Sequence, residues 1–276
     1  MTPGLVFVTS LRHPQNSTDY TTVENMLAAS LASWLRQTSP RFAIIVVGNR
    51  RPPLPDDSRV EFVQVGFPPP SETRGPRTGI AAVLRDKGTK LAIGLGRARE
   101  LGASHVMFAD ADDFVSRRLA VFVDEHPDAP GWTITDGWRI NLERRTMRPE
   151  TGTFQITCGS SHIVRTDLLP PTPDGVGATQ EQLYAAMGTK LERWIGSHMH
   201  LHDDLPLETL PFPGAMYRVG TGESHSGNAM AGRGRPIPRG IAEEFGVPAT
   251  PRTPWAQARA ALPSSRAIRE RLLRSR

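Results

Sequence analysis

Four short, strongly apolar segments occur before residue 110, and each of them stops at a polar loop. They cover residues 5–9, 42–47, 60–65 and 105–109. Two segments with apolar residues at helical spacing lie between them, one near residues 20–35 and one from about residue 80 to residue 101. Strand, helix, strand, strand, helix, strand is an order typical of an α/β domain with a mainly parallel central sheet. The sequence therefore predicts an α/β fold of that kind.

The composition restricts the class of protein further. A chain of 276 residues with 38% hydrophobic and 22% charged residues can bury a core. The 25 glycines and 25 prolines favour many loops over a coiled coil. The single cysteine, Cys158, excludes an internal disulfide framework. No apolar run approaches the roughly 20 residues of a membrane span, and no secretory signal is visible, so we expect a cytoplasmic protein.

The chain after residue 113 has a less regular pattern and an uneven charge. We predict a helix near residues 190–198 and a pair of strands near residues 207–219. The net charge is +5, but from Ala231 onward ten arginines face three glutamates. We therefore expect a domain over residues 1–235 and a basic, partly helical extension over residues 236–276. This extension could be a solvated terminus, or it could contact nucleic acid, a polyanionic acceptor or an anionic lipid surface such as the inner face of a membrane.

The strongest candidate site is the run Asp110-Ala111-Asp112-Asp113, which directly follows the fourth apolar segment. Ligands of parallel α/β sheets bind at the carboxyl ends of the strands. Alternate residues of an extended chain point the same way, so Asp110 and Asp112 can face one ion. Carboxylate oxygens suit Mg²⁺ or Mn²⁺, which commonly complete their coordination with phosphate oxygens. The alternative is that these acids only cap the next helix or are solvated.

The segments KLAIGLGRA and HVMFADADDFV, within Lys87–Val115, resemble the nucleotide-sugar domain of glycosyltransferase family 2 and of related enzymes with the GT-A fold. The resemblance extends over roughly residues 1–230. It implies a GT-A fold and a transferase that uses Mn²⁺ or Mg²⁺. Such an enzyme moves a sugar from a nucleoside diphosphate to a hydroxyl group of a glycan, a lipid or a small molecule.

The resemblance also implies which residues bind the donor and the metal. The expected nucleotide-binding residues are Thr9, Ser10, Arg12, Asn49, Arg85, Asp86, Lys90, Asp110 and Ala111. Asp112 and Asp110 would hold the metal, and His225 would be a further ligand. Two positions depart from the family pattern. Gly94 replaces a frequent asparagine, and Gly48-Asn49 replaces an acidic residue, which leaves uridine, guanosine or thymidine open although a UDP-sugar is favoured.

The segment HMHLHDD, residues 198–204, supports two different interpretations. By its order in the chain it corresponds to the acidic motif of the resembled family, so that Asp204 or Asp203 would take the proton of the acceptor hydroxyl in an inverting reaction. It also resembles the H-x-H-x-D-H zinc motif of metallo-hydrolases, with the last two residue types transposed. A nucleotidyltransferase of similar fold is a further alternative, but the loop Ser10–Pro14 lacks the glycines expected of one.

Overall fold

The computed structural model describes residues 1–75, 78–173, 177–221, 230 and 233–262. The strands are β1 (Leu5–Ser10), β2 (Phe42–Gly48), β3 (Val60–Gln64), β4 (His105–Phe108), β5 (Phe114–Val115), β6 (Gly131–Thr133), β7 (Gly137–Asn141), β8 (Thr146–Glu150), β9 (His162–Arg165), β10 (Glu208–Thr209), β11 (Ala215–Arg218) and β12 (Arg235–Pro236). The helices are α1 (Tyr20–Trp34), α2 (Ile80–Glu100), α3 (Leu119–Glu125), α4 (Phe154–Thr157), α5 (Gln180–Met187), α6 (Leu201–Asp204), α7 (Arg239–Phe245) and α8 (Pro254–Ala261). A π-helical segment, Leu191–Gly196, lies between α5 and α6.

Seven of the described strands form a central sheet in the order β10-β6-β9-β4-β1-β2-β3. β1 pairs in parallel with both β2 and β4, and β3 pairs in parallel with β2. β9 runs antiparallel to its neighbours β4 and β6, while β10 is parallel to β6. The prediction of an α/β fold with a mainly parallel central sheet is confirmed. The architecture is consistent with the Rossmann-like GT-A fold that the resemblance implies.

Helices cover both faces of the central sheet, and alternate residues of β1 point toward one face or the other. Leu5 and Phe7 are fully buried in a core that also contains apolar residues of α1 and α3. Val6 and Val8 are fully buried in a second core with apolar residues of α2. Burial on both faces explains why these strands read as continuous apolar runs.

Helix α2 packs closely against β1 because position 94 is a glycine. A Cβ atom added to Gly94 would lie 2.3 Å from Cγ1 of Val8 and 3.2 Å from Cγ2 of Val47. There is therefore no room for an asparagine at this position. The departure from the family pattern at Gly94 has a packing reason in this chain.

A second sheet is formed by strands that lie between residues 114 and 236. Its five described strands follow the order β12-β8-β7-β11-β5. A third apolar cluster, which includes Phe114, Met216 and Phe245, joins this sheet to α7. Ile237 and Phe245, which follow the domain boundary predicted at residue 235, are therefore buried in this cluster. The boundary itself stays a prediction. Residues 263–276 of the basic extension lie outside the described residues.

Two local predictions differ from the observed elements. The helix predicted near residues 190–198 is the π-helical segment Leu191–Gly196. The strands predicted near residues 207–219 do not pair with each other, since β10 joins β6 and β11 joins β5 and β7. A local pattern indicates that a segment is extended, but its partner is chosen by packing elsewhere in the chain. None of the described helices combines the length and the apolar character that a membrane span needs.

Candidate functional site

A cavity of about 560 Å³ lies at the carboxyl edge of the central sheet. The loops after β1 and β4 border it, because these two strands are parallel neighbours whose carboxyl ends lie side by side. The first part of α2 and the segment 196–199 border it as well. Its volume is within the range of about 300–1,000 Å³ that is usual for small-molecule sites. The position agrees with the rule for ligand sites in parallel α/β sheets.

The acidic loop, residues 110–113, contributes part of the cavity lining. Asp110, Ala111 and Asp112 line the cavity, whereas Asp113 is fully buried. The loop is locally tight, since the backbone N–H of Asp113 donates to the carbonyl of Asp110 at 3.1 Å. Asp110 and Asp112 thus border one cavity, although residues 110–113 form a turn and not the extended segment from which their common direction is predicted.

Asp113 anchors the loop from behind. Its carboxylate accepts hydrogen bonds from the hydroxyl of Ser160 (2.7 Å), the thiol of Cys158 (3.1 Å) and the backbone N–H of Arg218 (3.1 Å). Ser160 in turn accepts from the backbone N–H of Asp110 at 2.8 Å. This network connects the end of β4 to the segment before β9 and to β11. Burial raises the pKa of Cys158 well above the ordinary value for a thiol, so Cys158 belongs to this structural network and is a poor nucleophile.

Lys87, on the second turn of α2, balances part of the negative charge. Its Nζ atom lies 2.5 Å from Oδ1 of Asp110. Burial acts to raise the pKa of Asp110, but the neighbouring ammonium of Lys87 outweighs burial and holds that pKa below its ordinary value. Lys87 was not among the residues predicted from sequence. Nothing in a helix pattern distinguishes a lysine that faces an acid 23 positions away.

The electrostatics of the loop fit a divalent cation. Burial, followed by the charge of Asp110, raises the pKa of Asp112 to about 6. The positive charges of Arg218 and Lys87 oppose this rise but do not cancel it, and a cation bound between the carboxylates would favour the ionised form of Asp112 further. Two carboxylates plus phosphate oxygens or waters are a donor set that suits Mg²⁺ or Mn²⁺. Among the residues that the structure describes, no group of three or more His, Cys, Asp or Glu side chains is arranged to hold a metal. The predicted ligand His225 lies outside the described residues.

The predicted nucleotide-binding residues divide into two groups. Five of them line the cavity, namely Ser10, Arg12, Asp86, Asp110 and Ala111. Lys90 and Thr9 are fully buried and do not line it. The ammonium of Lys90 donates to Oδ2 of Asp86 at 2.8 Å and to the carbonyl of Leu11 at 2.9 Å. Lys90 therefore supports the residues of the cavity wall from behind.

Asn49 and Arg85 also lie away from the cavity lining. Asn49 donates through Nδ2 to the carbonyls of Val65 and Phe67, which ties the end of β2 to the loop after β3. Arg85 forms an ion pair with Glu181 at 3.0 Å. Both contacts connect secondary elements, and the predicted roles of Asn49 and Arg85 at the nucleotide stay predictions.

The predicted bases Asp204 and Asp203 do not line the cavity. Asp204 accepts from Nε of Arg193 at 2.6 Å and from Nε1 of Trp194 at 2.7 Å. These two hydrogen bonds, that of Arg193 first, lower the pKa of Asp204 to about 2. The side chain of Asp203 is 57% exposed. Asp204 has the contacts of a structural carboxylate, and the assignment of either acid as the base stays a prediction.

The three histidines of the segment 198–204 do not converge on one point. His198 lines the cavity, with Nε2 3.4 Å from the carbonyl of Ile156. His202 stacks on the buried His162 of β9, with ring centroids 5.6 Å apart. In the described part of the chain these side chains make no metal cage. The zinc-hydrolase interpretation therefore has no support from the geometry.

An apolar wall of the cavity could not be recognised from sequence. Helix α1 contributes Val23 and Met26, and α2 contributes Val83 and Leu84. Their helical spacing is the same as that of ordinary core residues. Only the relative placement of α1 and α2 shows that these side chains border a ligand-sized space.

Comparisons with known proteins add little to this geometry. No family model matches the chain, and no curated protein matches it. Among the solved structures that match, the crystal structure of S. aureus TarS aligns over 78% of this chain and 36% of its own chain. The sequence identity is 17% and the TM-score is 0.34. This chain thus spans about a third of that one, and a likeness of this size carries no conclusion about activity.

Proposed function

We propose that this protein is a metal-dependent glycosyltransferase that moves a sugar from a nucleoside diphosphate to a hydroxyl acceptor. One observation carries the proposal. Asp110 and Asp112, the acids that end the fourth predicted strand, line one cavity of small-molecule size at the carboxyl edge of a parallel sheet. That placement supports the resemblance of the segment Lys87–Val115 to nucleotide-sugar enzymes.

The residues of the cavity divide the work of donor binding. Asp110 and Asp112 would hold Mn²⁺ or Mg²⁺, and the bound cation would neutralise the departing diphosphate. Lys87 keeps Asp110 ionised, and the contacts of Asp113 hold the loop in place. Arg12 lines the same cavity and offers a guanidinium group to phosphate oxygens.

A base must accept the proton of the acceptor hydroxyl. In direct displacement the hydroxyl oxygen bonds to the anomeric carbon, the bond from that carbon to the diphosphate breaks, and the proton goes to the base. His198 lines the cavity, and burial, followed by the charge of Lys87, lowers its pKa. The imidazole is therefore neutral near pH 7 and can accept a proton. We assign this role to His198 in preference to Asp204 or Asp203, with inversion at the anomeric carbon.

Nucleotide binding with metal tests the proposal directly. We expect UDP, GDP or dTDP to raise the melting temperature of the intact chain only when Mn²⁺ is present. The stabilisation should disappear in Asp112→Asn and persist in Asp128→Asn, a control at an exposed acid that does not line the cavity. A larger shift with nucleoside triphosphates than with diphosphates would favour a nucleotidyltransferase. No shift with any nucleotide and metal, or an equal shift in Asp112→Asn, would contradict the proposed function.

A further inference from the structure

Helix α8 is fixed to the second sheet through one side and through its C-terminal end. Ala260 is fully buried, and its carbonyl accepts from the hydroxyl of Thr146 on β8 at 2.6 Å. The guanidinium of Arg144, in the turn between β7 and β8, donates to the carbonyls of Arg259 (2.7 Å) and Leu262 (2.5 Å). A cation at the C-terminal end of a helix satisfies its last carbonyls and is favoured by the helix dipole. These contacts determine which side of α8 is turned outward.

The outward side of α8 carries two large apolar side chains. Trp255 is 76% exposed, and Leu262, the residue at which the helix ends, is 56% exposed. Arg259 lies between them, and spacings of four and three residues place all three on the same side of a helix. The other four tryptophans of the chain are buried or half-buried. Adjacent exposed apolar side chains of this size are typical of a surface that binds a partner.

Arginines surround these apolar side chains. Arg252 and Arg259 are exposed near the two ends of the helix, and Arg144 is half-buried beneath its C-terminal end. Burial, followed by the nearby charge of Arg259, lowers the pKa of Arg144, and the opposing charge of Glu143 does not cancel this effect. The surface formed by Arg144, Arg252, Trp255, Arg259 and Leu262, the α8 surface, is therefore both positive and apolar.

Charge restricts what can cover the α8 surface. The chain that follows Leu262, residues 263–276, contains five arginines and one glutamate. Its charge has the same sign as that of the α8 surface, so repulsion opposes its binding there, and a partner with dense negative charge is favoured. Nucleic acid would pair with the arginines but would leave Leu262 without an apolar partner. The interface of an anionic membrane suits both kinds of side chain, since tryptophan rings lie at the level of the headgroups and arginines pair with lipid phosphates.

We infer that the α8 surface binds membranes that contain anionic lipids, with Trp255 and Leu262 inserted between the headgroups. The inference is independent of the proposed function, because none of the five residues lines the cavity. The membrane contact would hold the protein at a lipid surface without a spanning segment.

Co-sedimentation of the intact chain with lipid vesicles tests the inference. We expect binding to vesicles of phosphatidylcholine with about 30% phosphatidylglycerol, weaker binding as the salt concentration rises, and little binding to phosphatidylcholine alone. Binding should shift the tryptophan emission to shorter wavelength, because Trp255 passes from water into the interface. Trp255→Ala should remove the shift and weaken binding about tenfold, with an unchanged melting temperature because the side chain is exposed.

The arginines are tested by a pair of matched double variants. Arg252→Gln/Arg259→Gln should weaken binding roughly twentyfold, since each arginine near an anionic surface contributes about fivefold. Arg50→Gln/Arg51→Gln removes the same charge from two exposed arginines after β2 and should bind like the unmodified protein.

Three results would overturn the inference. Equal binding of the α8 variants and the unmodified protein would place any vesicle contact elsewhere, such as in residues 263–276. Equal losses in the two double variants would mean that only the net charge matters. Binding to a DNA duplex without binding to anionic vesicles would identify nucleic acid as the partner.

Discussion

The ammonium of Lys87 lies 2.5 Å from Oδ1 of Asp110, which joins α2 to the loop after β4 at the edge of the cavity. The two side chains are 25% and 31% exposed, so the pair is partly screened by solvent. The ion pair therefore mainly affects the protonation and the position of Asp110, and it contributes little to the free energy of unfolding. Asp110 stays ionised in a crowded group of acids and keeps one oxygen directed to Lys87.

Removal of the Lys87 charge should make metal-dependent nucleotide binding more sensitive to acid. In the unmodified protein, affinity should fall as Asp112 is protonated near pH 6. In Lys87→Met the burial of Asp110 is no longer opposed, so its pKa rises and the loss of affinity begins at higher pH. Titration with GDP and Mn²⁺ between pH 5 and pH 8 measures this shift. Lys190→Met, at an exposed lysine, should follow the unmodified protein. Superimposable pH curves for Lys87→Met and the unmodified protein would contradict the assigned role.

A methyl group at Gly159 should disturb the acidic loop without unfolding the domain. A Cβ atom added there would lie 2.3 Å from Oδ2 of Asp110, so the carboxylate must move. We expect Gly159→Ala to lower the affinity for Mn²⁺ plus nucleotide at least about tenfold, while circular dichroism stays unchanged. Gly66→Ala is the matched control, because nothing lies within 4 Å of its added Cβ. Unchanged affinity in Gly159→Ala would show that the position of this carboxylate does not matter.

Loss of the imidazole at position 198 should affect chemistry and leave donor binding intact. His198→Gln keeps a side chain of similar size but cannot accept the acceptor proton. We expect turnover, measured as release of nucleoside diphosphate from the donor sugar nucleotide, to fall about a hundredfold, with nucleotide affinity unchanged. The acidic limb of the pH profile of kcat should also disappear. If turnover is unaffected, Asp203 and Asp204 become the residues to test as the base.

Asp204 should contribute to stability in a defined pH range. Its pKa in the folded state is about 2, lower than the ordinary value of 3.8, because Arg193 and Trp194 donate to it. A lowered carboxyl pKa stabilises the folded state above pH 4, and this contribution is lost as the pH falls from about 4 to about 2. The melting temperature of Asp204→Asn should therefore be lower than that of the unmodified protein at pH 6 and converge with it near pH 2. A large loss of turnover with no change of stability would instead support a catalytic role.

His162 should destabilise the protein in mild acid. Burial lowers its pKa from 6.5 to about 3, so the unfolded chain binds this proton in a range where the folded chain does not. Its contribution is neutral above pH 6.5, and stability is lost as the pH falls from about 6.5 toward 3, by up to about 1.4 kcal/mol per pH unit. Urea titrations of His162→Asn and the unmodified protein should show a flatter pH dependence for the variant. Parallel curves would mean that folding does not lower the pKa of His162.

The acids of the candidate site could be found from sequence because the signal is local. Asp110 and Asp112 follow a buried strand, which places them at the sheet edge, although residues 110–113 form a turn and not the extended segment that alternation assumes. The sequence pattern also separates Asp112 from Asp113, but it does not show what Asp113 contacts. Asp113 is anchored by Ser160 and Cys158, which lie 45 or more positions later in the chain. Similarly, two adjacent acids near residue 204 look alike in sequence, although Arg193 and Trp194 bind only Asp204.

Burial periodicity and strand ends depend on neighbouring residues, so the α/β class and the edge of the sheet where the acids lie could be predicted from the sequence. Which side chains share the cavity became visible only in the folded arrangement of the helices and strands. Lys87 meets Asp110, and Asn16 and Asp86 border one apolar space, because α1, α2 and the strand ends come together there. Such contacts depend on how distant segments pack, and a short stretch of sequence does not contain the residues that determine that packing.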